Sequence, residues 1–256
     1  MAEIRVLVLR AAGTNCDEET AHAFAKAGAR VDRVHVNRLA EGQVRLSDYQ
    51  VLAIPGGFTY GDDISAGKVL ANELKYRVGD EVRKFVDAGR LVIGICNGFQ
   101  VLVKMGILPG WDALRQQATL TSNDSNRYED RWVHLKVVST KTPFFREKEI
   151  IYLPVAHGEG KFVTDGDQTL KRLESTGQAV LKYCDGDGRE GPYPVNPNGS
   201  VASIAGISDE TGRVFGLMPH PERNIEPWHH PRWTRGEAAA EGDGFRVFRN
   251  ALSYFS

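Results

Sequence analysis

The chain has little cysteine, no long apolar run and almost no net charge, and each shortage excludes a class of protein. Its 256 residues contain only 3 cysteines, an odd number without paired spacing. That excludes a disulfide framework and suits a reducing, cytoplasmic compartment, with Cys16 and Cys184 read as structural or incidental. The N-terminal apolar stretch, Ile4 to Leu9, is too short for a signal-peptide core or a membrane span, so no membrane partner is expected. A formal net charge of −1, with no basic block, removes the electrostatic footprint of a nucleic-acid partner. A phosphate-binding loop is missing too: the glycine-rich segment at Gly56 has no Lys-Ser/Thr ending, so ATP is not expected to bind here. Among the charged residues no ligand cluster stands out. His229 and His230 are adjacent and would point apart in extended chain, and the aspartates after Cys184 lack the downstream glutamate of a calcium loop, so no metal is expected.

What remains is apolar enough, at 41% hydrophobic and 25% charged residues, for one α/β domain spanning residues 1–256. Short β-like runs alternate with amphipathic helical patterns, which predicts a central, mostly parallel sheet with helices on both faces. A first helix follows Asp17, with Ala21, Phe24 and Ala25 as its inner stripe and Gly28 as its stop. Val69, Leu70, Leu74, Val78, Val82, Phe85 and Val86 mark a longer one ending at Gly89. Phe245, Phe248, Leu252 and Phe255 mark the last. Trp132 to Val138 alternates as a half-buried strand would, so the middle third is expected to make the sheet mixed. Residues 184–199 read as a long loop.

The sharpest local signal is Leu91-Val-Ile-Gly94-Ile-Cys96-Asn97-Gly98-Phe-Gln100. A buried strand breaks at a cysteine flanked by glycines with Gly-x-nucleophile-x-Gly spacing, the pattern of a nucleophile elbow. A helix starting behind Cys96 would favour thiolate. A second apolar run, Val214 to Met218, ends at Pro219-His220-Pro221-Glu222. The prolines enforce extended backbone, in which residues two apart point the same way, so Glu222 can orient His220 while the other ring nitrogen faces Cys96. By spacing alone His157 and Glu159 form a competing pair. A third run, Val51 to Ile54, leads into Pro55-Gly-Gly57-Phe-Thr-Tyr-Gly-Asp62, whose backbone could stabilise an oxyanion. The expected donors are the N–H groups of Gly57 and Asn97.

Taken with Gly13-Thr-Asn-Cys16-Asp17 and Pro154-Val-Ala-His157-Gly-Glu159-Gly160, these blocks resemble the class I (triad) glutamine amidotransferases in kind and order, over nearly the whole chain. The Cys-Asn-Gly-Phe-Gln and Ala-His-Gly-Glu-Gly blocks are similar to those of the glutaminases that serve phosphoribosylformylglycinamidine synthases in purine synthesis. The resemblance implies a flavodoxin-like sandwich and glutamine hydrolysis through a γ-glutamyl thioester on Cys96, with His220 and Glu222 completing the triad. Ammonia would pass to a large synthetase subunit, which holds ATP and Mg and is joined by a small third subunit. Gln100, Arg127, His157 and Gly158 are the candidates for holding glutamine. Two departures stand out: Ala11-Ala12 precede Gly13 where the family commonly has proline, and the segment 225–235 is longer than in the shortest relatives. The competing readings are a γ-glutamyl peptidase or other cysteine hydrolase on the same fold, and a non-catalytic subunit.

Overall fold

The structure, a computed structural model, describes residues 3–112 and 114–256. In chain order its elements are β1 (Arg5–Arg10), α1 (Asp17–Lys26), β2 (Arg30–His35), α2 (Val36–Ala40), β3 (Val51–Ile54), α3 (Lys68–Asp87), β4 (Leu91–Ile95), α4 (Asn97–Met105), β5 (Ala118–Thr121), β6 (Glu129–Val137), β7 (Ile150–His157), β8 (Lys161–Thr164), α5 (Asp167–Ser175), β9 (Ala179–Cys184), β10 (Ile204–Ser208), β11 (Val214–Leu217) and α6 (Phe245–Ser253).

Nine strands form one sheet in the order β2-β1-β3-β4-β11-β10-β9-β6-β7, and β5 pairs with β8 in a separate ribbon. From β2 to β11 every neighbour is parallel; from β11 to β7 every neighbour is antiparallel. The sheet is therefore mixed, with a parallel core. β1 connects leftward to β2 and β3 rightward to β4, so right-handed crossovers carry α1 and α3 to opposite faces. Every residue of β3, β4 and β11 is buried, as expected of strands covered on both sides and written as continuous apolar runs.

Two helices follow their expected stripes. α3 buries Leu70, Leu74, Val78, Val82, Phe85 and Val86, and Gly89 with φ 78° provides the left-handed stop. α6 buries Phe245, Phe248 and Leu252, while Phe255 lies past its end and packs against the core. The inner stripe of α1 is shifted: Thr20, Ala23 and Phe24 are buried, whereas Ala25 is exposed. Alanine carries too little apolar surface to fix a helix's rotation, and Phe24 sets it against Phe248, with ring centroids 4.9 Å apart. α4 is buried on all sides, which places the residue before it deep in the molecule.

β3, β4 and β11 are adjacent and parallel, so their C-terminal ends open on one crevice. Open α/β sheets place their sites there. The loop after β3, Cys96 after β4 and His220 after β11 therefore converge.

Candidate active site

Cys96 has φ 50° and ψ −105°, left-handed backbone that costs a non-glycine residue of order 1–3 kcal/mol. Its N–H donates to the carbonyl of Leu217 at 2.8 Å, and its own carbonyl accepts from the N–H of Gln100 at 3.1 Å. The turn is thus pinned to β11 in front and to α4 behind. The flanking glycines are required by packing: a Cβ on Gly98 would overlap the carbonyl of Ile54, and one on Gly94 would lie 2.5 Å from the carbonyl oxygen of Gly98. Sγ lies 3.7 Å from the carbonyl oxygen of Ala156, with the N-terminus of α4 behind it, an end that favours negative charge.

His220 has extended backbone, φ −104° and ψ 90°, and donates its N–H to the carbonyl of Pro154 at 2.9 Å. Its Nδ1 and Glu222 Oε1 are 2.6 Å apart, and both residues are 1% exposed. Burial alone would depress this imidazole. The Glu222 carboxylate and the Cys96 and Cys16 sulfurs overcome that penalty and hold His220 well above its ordinary value. Nε2 forms no hydrogen bond of its own and is free for a reacting group. The 2.6 Å contact meets the requirement for an imidazole oriented by a carboxylate, and the adjacent parallel strands β4 and β11 bring Cys96 and His220 to the same crevice.

The loop after β3 lies against the first loop of the chain. A Cβ on Gly57, whose φ is 148°, would sit 2.7 Å from the carbonyl oxygen of Gly13 and 2.8 Å from the nitrogen of Asn15. Only glycine fits both the conformation and the space. Among the described residues, no protein acceptor takes the N–H of Gly57 or of Asn97. The Asn97 side chain is turned away from the cysteine: Oδ1 accepts from Thr59 Oγ1 at 2.7 Å, and Nδ2 donates to Gln100 Oε1 at 3.0 Å.

The other candidates separate. Gln100 is buried and turned inward, its Nε2 donating to the carbonyl of Glu159 at 2.7 Å, so it braces the wall of the site and does not face into it. His157 is likewise buried, with Nδ1 3.2 Å from Asn123 Oδ1. Burial first, then the charge of His220, pushes its pKa down to about 4, and Glu159 reaches toward Ala66 and Lys104 instead. The spacing that made His157 and Glu159 a rival pair is not realised as a contact. The Gly158 carbonyl accepts from Asn123 N–H at 2.9 Å, and its α-carbon faces the Tyr128 ring. Arg127 is exposed, and its carbonyl accepts from Asn123 Nδ2 at 2.8 Å.

Three residues were not anticipated. Cys16, read as incidental, is buried beside the imidazole; Arg223 Nη2 donates to its Sγ at 3.1 Å, and a Cβ on Gly56 would touch both Cys16 Sγ and His220. Its position in the Gly13-Thr-Asn-Cys16-Asp17 block was the available signal. Cys16, His220 and Glu222 offer ligand atoms within 4.8 Å of one another. That grouping follows from the closed His220–Glu222 pair and a neighbouring thiol, and the Arg223 guanidinium opposes a cation at Sγ. Phe58 and Tyr128, both about half exposed, stack at 6.4 Å. Burial first, then the neighbouring Cys96, pushes the Tyr128 hydroxyl's pKa up, so this aromatic pair forms a lip beside the crevice.

Residues 3–255 match the CobB/CobQ-like glutamine amidotransferase domain. The chain belongs to that glutamine amidotransferase family. It is 48% identical to the phosphoribosylformylglycinamidine synthase subunit PurQ of Dehalococcoides mccartyi, over 99% of this chain and 98% of that one. Identity with the subunit of the same name from Methanococcus maripaludis is 42%, covering 98% and 97%. A chain in the structure of PurLQS from Thermotoga maritima superposes with a TM-score of 0.77 at 33% identity, covering all of both chains. These amidotransferases share the α/β architecture described above.

Proposed function

We propose that this chain is the glutaminase subunit of a phosphoribosylformylglycinamidine synthase. The observation that carries the reading is the 2.6 Å His220–Glu222 pair, buried at the C-terminal end of the sheet beside a cysteine held in nucleophile-elbow geometry. Cys96 Sγ attacks the side-chain carbonyl carbon of glutamine as His220 Nε2 takes the thiol proton. Negative charge develops on the carbonyl oxygen, where the free N–H groups of Gly57 and Asn97 stabilise it, each worth about 3 kcal/mol in such holes. Collapse breaks the C–N bond, and His220 returns the proton to the leaving ammonia. Water, deprotonated by His220, then hydrolyses the γ-glutamyl thioester and releases glutamate. Glu222 fixes the tautomer and stabilises the imidazolium throughout.

On this reading the 256 residues act as one glutaminase domain with no metal or cofactor of their own. The relatives' shared name and the likeness to a PurLQS chain support a separate synthetase partner that holds ATP and Mg and converts formylglycinamide ribonucleotide to the amidine, with a small third subunit completing the assembly. No described helix is long and apolar enough to cross a membrane, in keeping with work in the cytoplasm. A γ-glutamyl peptidase releasing ammonia or amines freely is not favoured by the same relatives.

The test is a reconstituted complex with its synthetase. Cys96→Ala is expected to abolish glutamine-dependent amidine formation and to leave the reaction driven by added ammonium and ATP largely intact. Loss of both activities in an assembled complex would overturn this division of labour. Turnover of γ-glutamyl peptides in preference to glutamine would replace the substrate.

A further inference from the structure

The Gly-Glu159-Gly motif is not used by the triad, yet Glu159 enters a buried polar network below the oxyanion loop. Lys104, in the last turn of α4, is only 5% exposed. Its Nζ donates to the carbonyl of Ala66 at 2.6 Å and lies 3.6 Å from Glu159 Oε2. That same carboxylate oxygen accepts the N–H of Ala66 at 3.1 Å. A single residue is therefore gripped on both sides, its C=O by the ammonium and its N–H by the carboxylate. Burying the Lys104 ammonium is costly unless it is paired and hydrogen-bonded, as it is here with the Ala66 carbonyl and the part-exposed Glu159 carboxylate.

Ala66 lies near the end of the loop 57–67, whose root is Gly57. The loop's start is held separately, Thr59 donating to Asn97 Oδ1 at 2.7 Å. Between the two clamps, Tyr60, Asp62 and Ile64 all have left-handed backbone, with φ of 54°, 53° and 72°, and Ile64 is 88% exposed. Non-glycine residues keep such dihedrals only where surrounding contacts impose them. Tyr60 is held by its N–H to the Ala12 carbonyl at 2.8 Å and its hydroxyl to Glu73, and Asp62 by Asn97 Nδ2 at 3.2 Å; no core packing holds Ile64, and the next hold after it is the grip on Ala66. The carbonyl of Glu159 also accepts from Gln100 Nε2, and Gln100 in turn accepts from Asn97, so the clamp is continuous with the residue that supplies the second oxyanion donor.

We infer that Lys104 and Glu159 are positioning residues for glutamine hydrolysis: by gripping Ala66 they hold the loop 57–67 in the shape that aims the Gly57 amide at the developing oxyanion. The inference rests on the glutaminase reading above. It predicts damage confined to the step in which the oxyanion forms, because neither residue touches Cys96 or His220.

The experiment uses the assembled complex and compares Lys104→Met, Glu159→Ala and Glu159→Gln with wild type. Lys104→Met and Glu159→Ala should lower kcat for glutamine hydrolysis about 10- to 100-fold, the scale of a displacement near 1 Å, with KM changed less than about twofold. Glu159→Gln keeps an acceptor for Ala66 N–H and should recover most of that loss. Alkylation of Cys96 by iodoacetamide, in which sulfur displaces iodide and no oxyanion forms, should proceed at the wild-type rate in all three. Wild-type kcat in Lys104→Met and Glu159→Ala would overturn the inference. So would alkylation falling in step with kcat, which would show that the elbow itself had moved. If Lys104→Met does not fold, the two Glu159 variants carry the same comparison. A wild-type complex that alkylates normally yet hydrolyses no glutamine would count against the proposed function, and is read separately from the variants.

Discussion

His157 and His220 are both buried, and each precedes a glutamate by two residues; what separates them is where those glutamates go. Glu222 turns onto its histidine, and Glu159 turns away. The consequence is opposite pKa shifts, and with them opposite pH signatures. His157, held at about 4 against 6.5 when unfolded, stays neutral in the folded chain while the unfolded chain takes up a proton. Stability is therefore lost as pH falls from about 6.5 to 4, by up to about 3 kcal/mol for this group. His134 and His229 are also shifted downward, mainly by burial, and add to the slope in the same direction. His220 has the reverse sign: its contribution is complete below the unfolded value and disappears as pH rises through the raised folded value. Urea unfolding of wild type and His157→Gln between pH 4 and 7 should show a shallower acid-side slope in the variant. Glutaminase activity at pH 7.5 should stay within about threefold of wild type, because His157 is braced by Asn123 and has no orienting carboxylate; inactivation with a folded chain would move the base to His157.

At the scale of elements, the turn between β4 and α4 fits only because its glycines let backbones touch. Gly98→Ala would drive a Cβ into the Ile54 carbonyl of β3. The partner is backbone and cannot rotate away, so either α4 lifts or β3 shifts. The expected cost is about 3 kcal/mol or more, the upper end for overpacked cores, measured as a fall in thermal midpoint. Activity should fall further than stability, since the same displacement moves the Asn97 amide. Unchanged melting would mean that the elbow has slack the packing does not show.

This element was legible in the sequence because its cause is local: two glycines, one cysteine and an apolar run are adjacent in the chain. The same holds for His220 and Glu222, whose common direction is imposed by the flanking prolines. The parallel core and the stripes of α3 and α6 were legible through periodicity. What escaped the reading depends on distant contacts. The rotation of α1 is set by Phe248, over two hundred residues away. Gln100 reads as a site residue from its place next to the elbow, but the bond that turns it inward is to Glu159. Cys16 has only its place in the Gly13–Asp17 block as a local signal, and its role beside His220 depends on a neighbour distant in the chain.

On the scale of the whole molecule, the antiparallel half of the sheet brings β7, its last strand, back to Cys96. Residues 152, 154 and 156 present their polar groups along the free edge of β7, two residues apart as the strand period requires. Tyr152 N–H donates to Asp243 Oδ2 at 2.8 Å and its carbonyl accepts from Asn224 Nδ2 at 2.8 Å. The Pro154 carbonyl accepts from His220 N–H, and that of Ala156 faces Cys96 Sγ. Proline at the central position is itself a signature of an edge, since it cannot donate to a further strand. His220, Asn224 and Asp243 thus dock their segment on this edge, and that segment carries the imidazole and its carboxylate. Asn224→Ala leaves the Tyr152 carbonyl unpaired in a part-buried setting, costing about 1 kcal/mol, and frees one anchor of that segment. Glutaminase kcat should fall about tenfold as His220 loses its fixed approach to Cys96. Alkylation of Cys96 by iodoacetamide should slow alongside it, because the missing contact lies between thiol and imidazole. That joint loss is the opposite of the pattern expected for Lys104 and Glu159, where alkylation is spared. If Asn224→Ala lowered stability but left both kcat and alkylation at wild-type levels, the β7 edge would support the fold without aligning the triad.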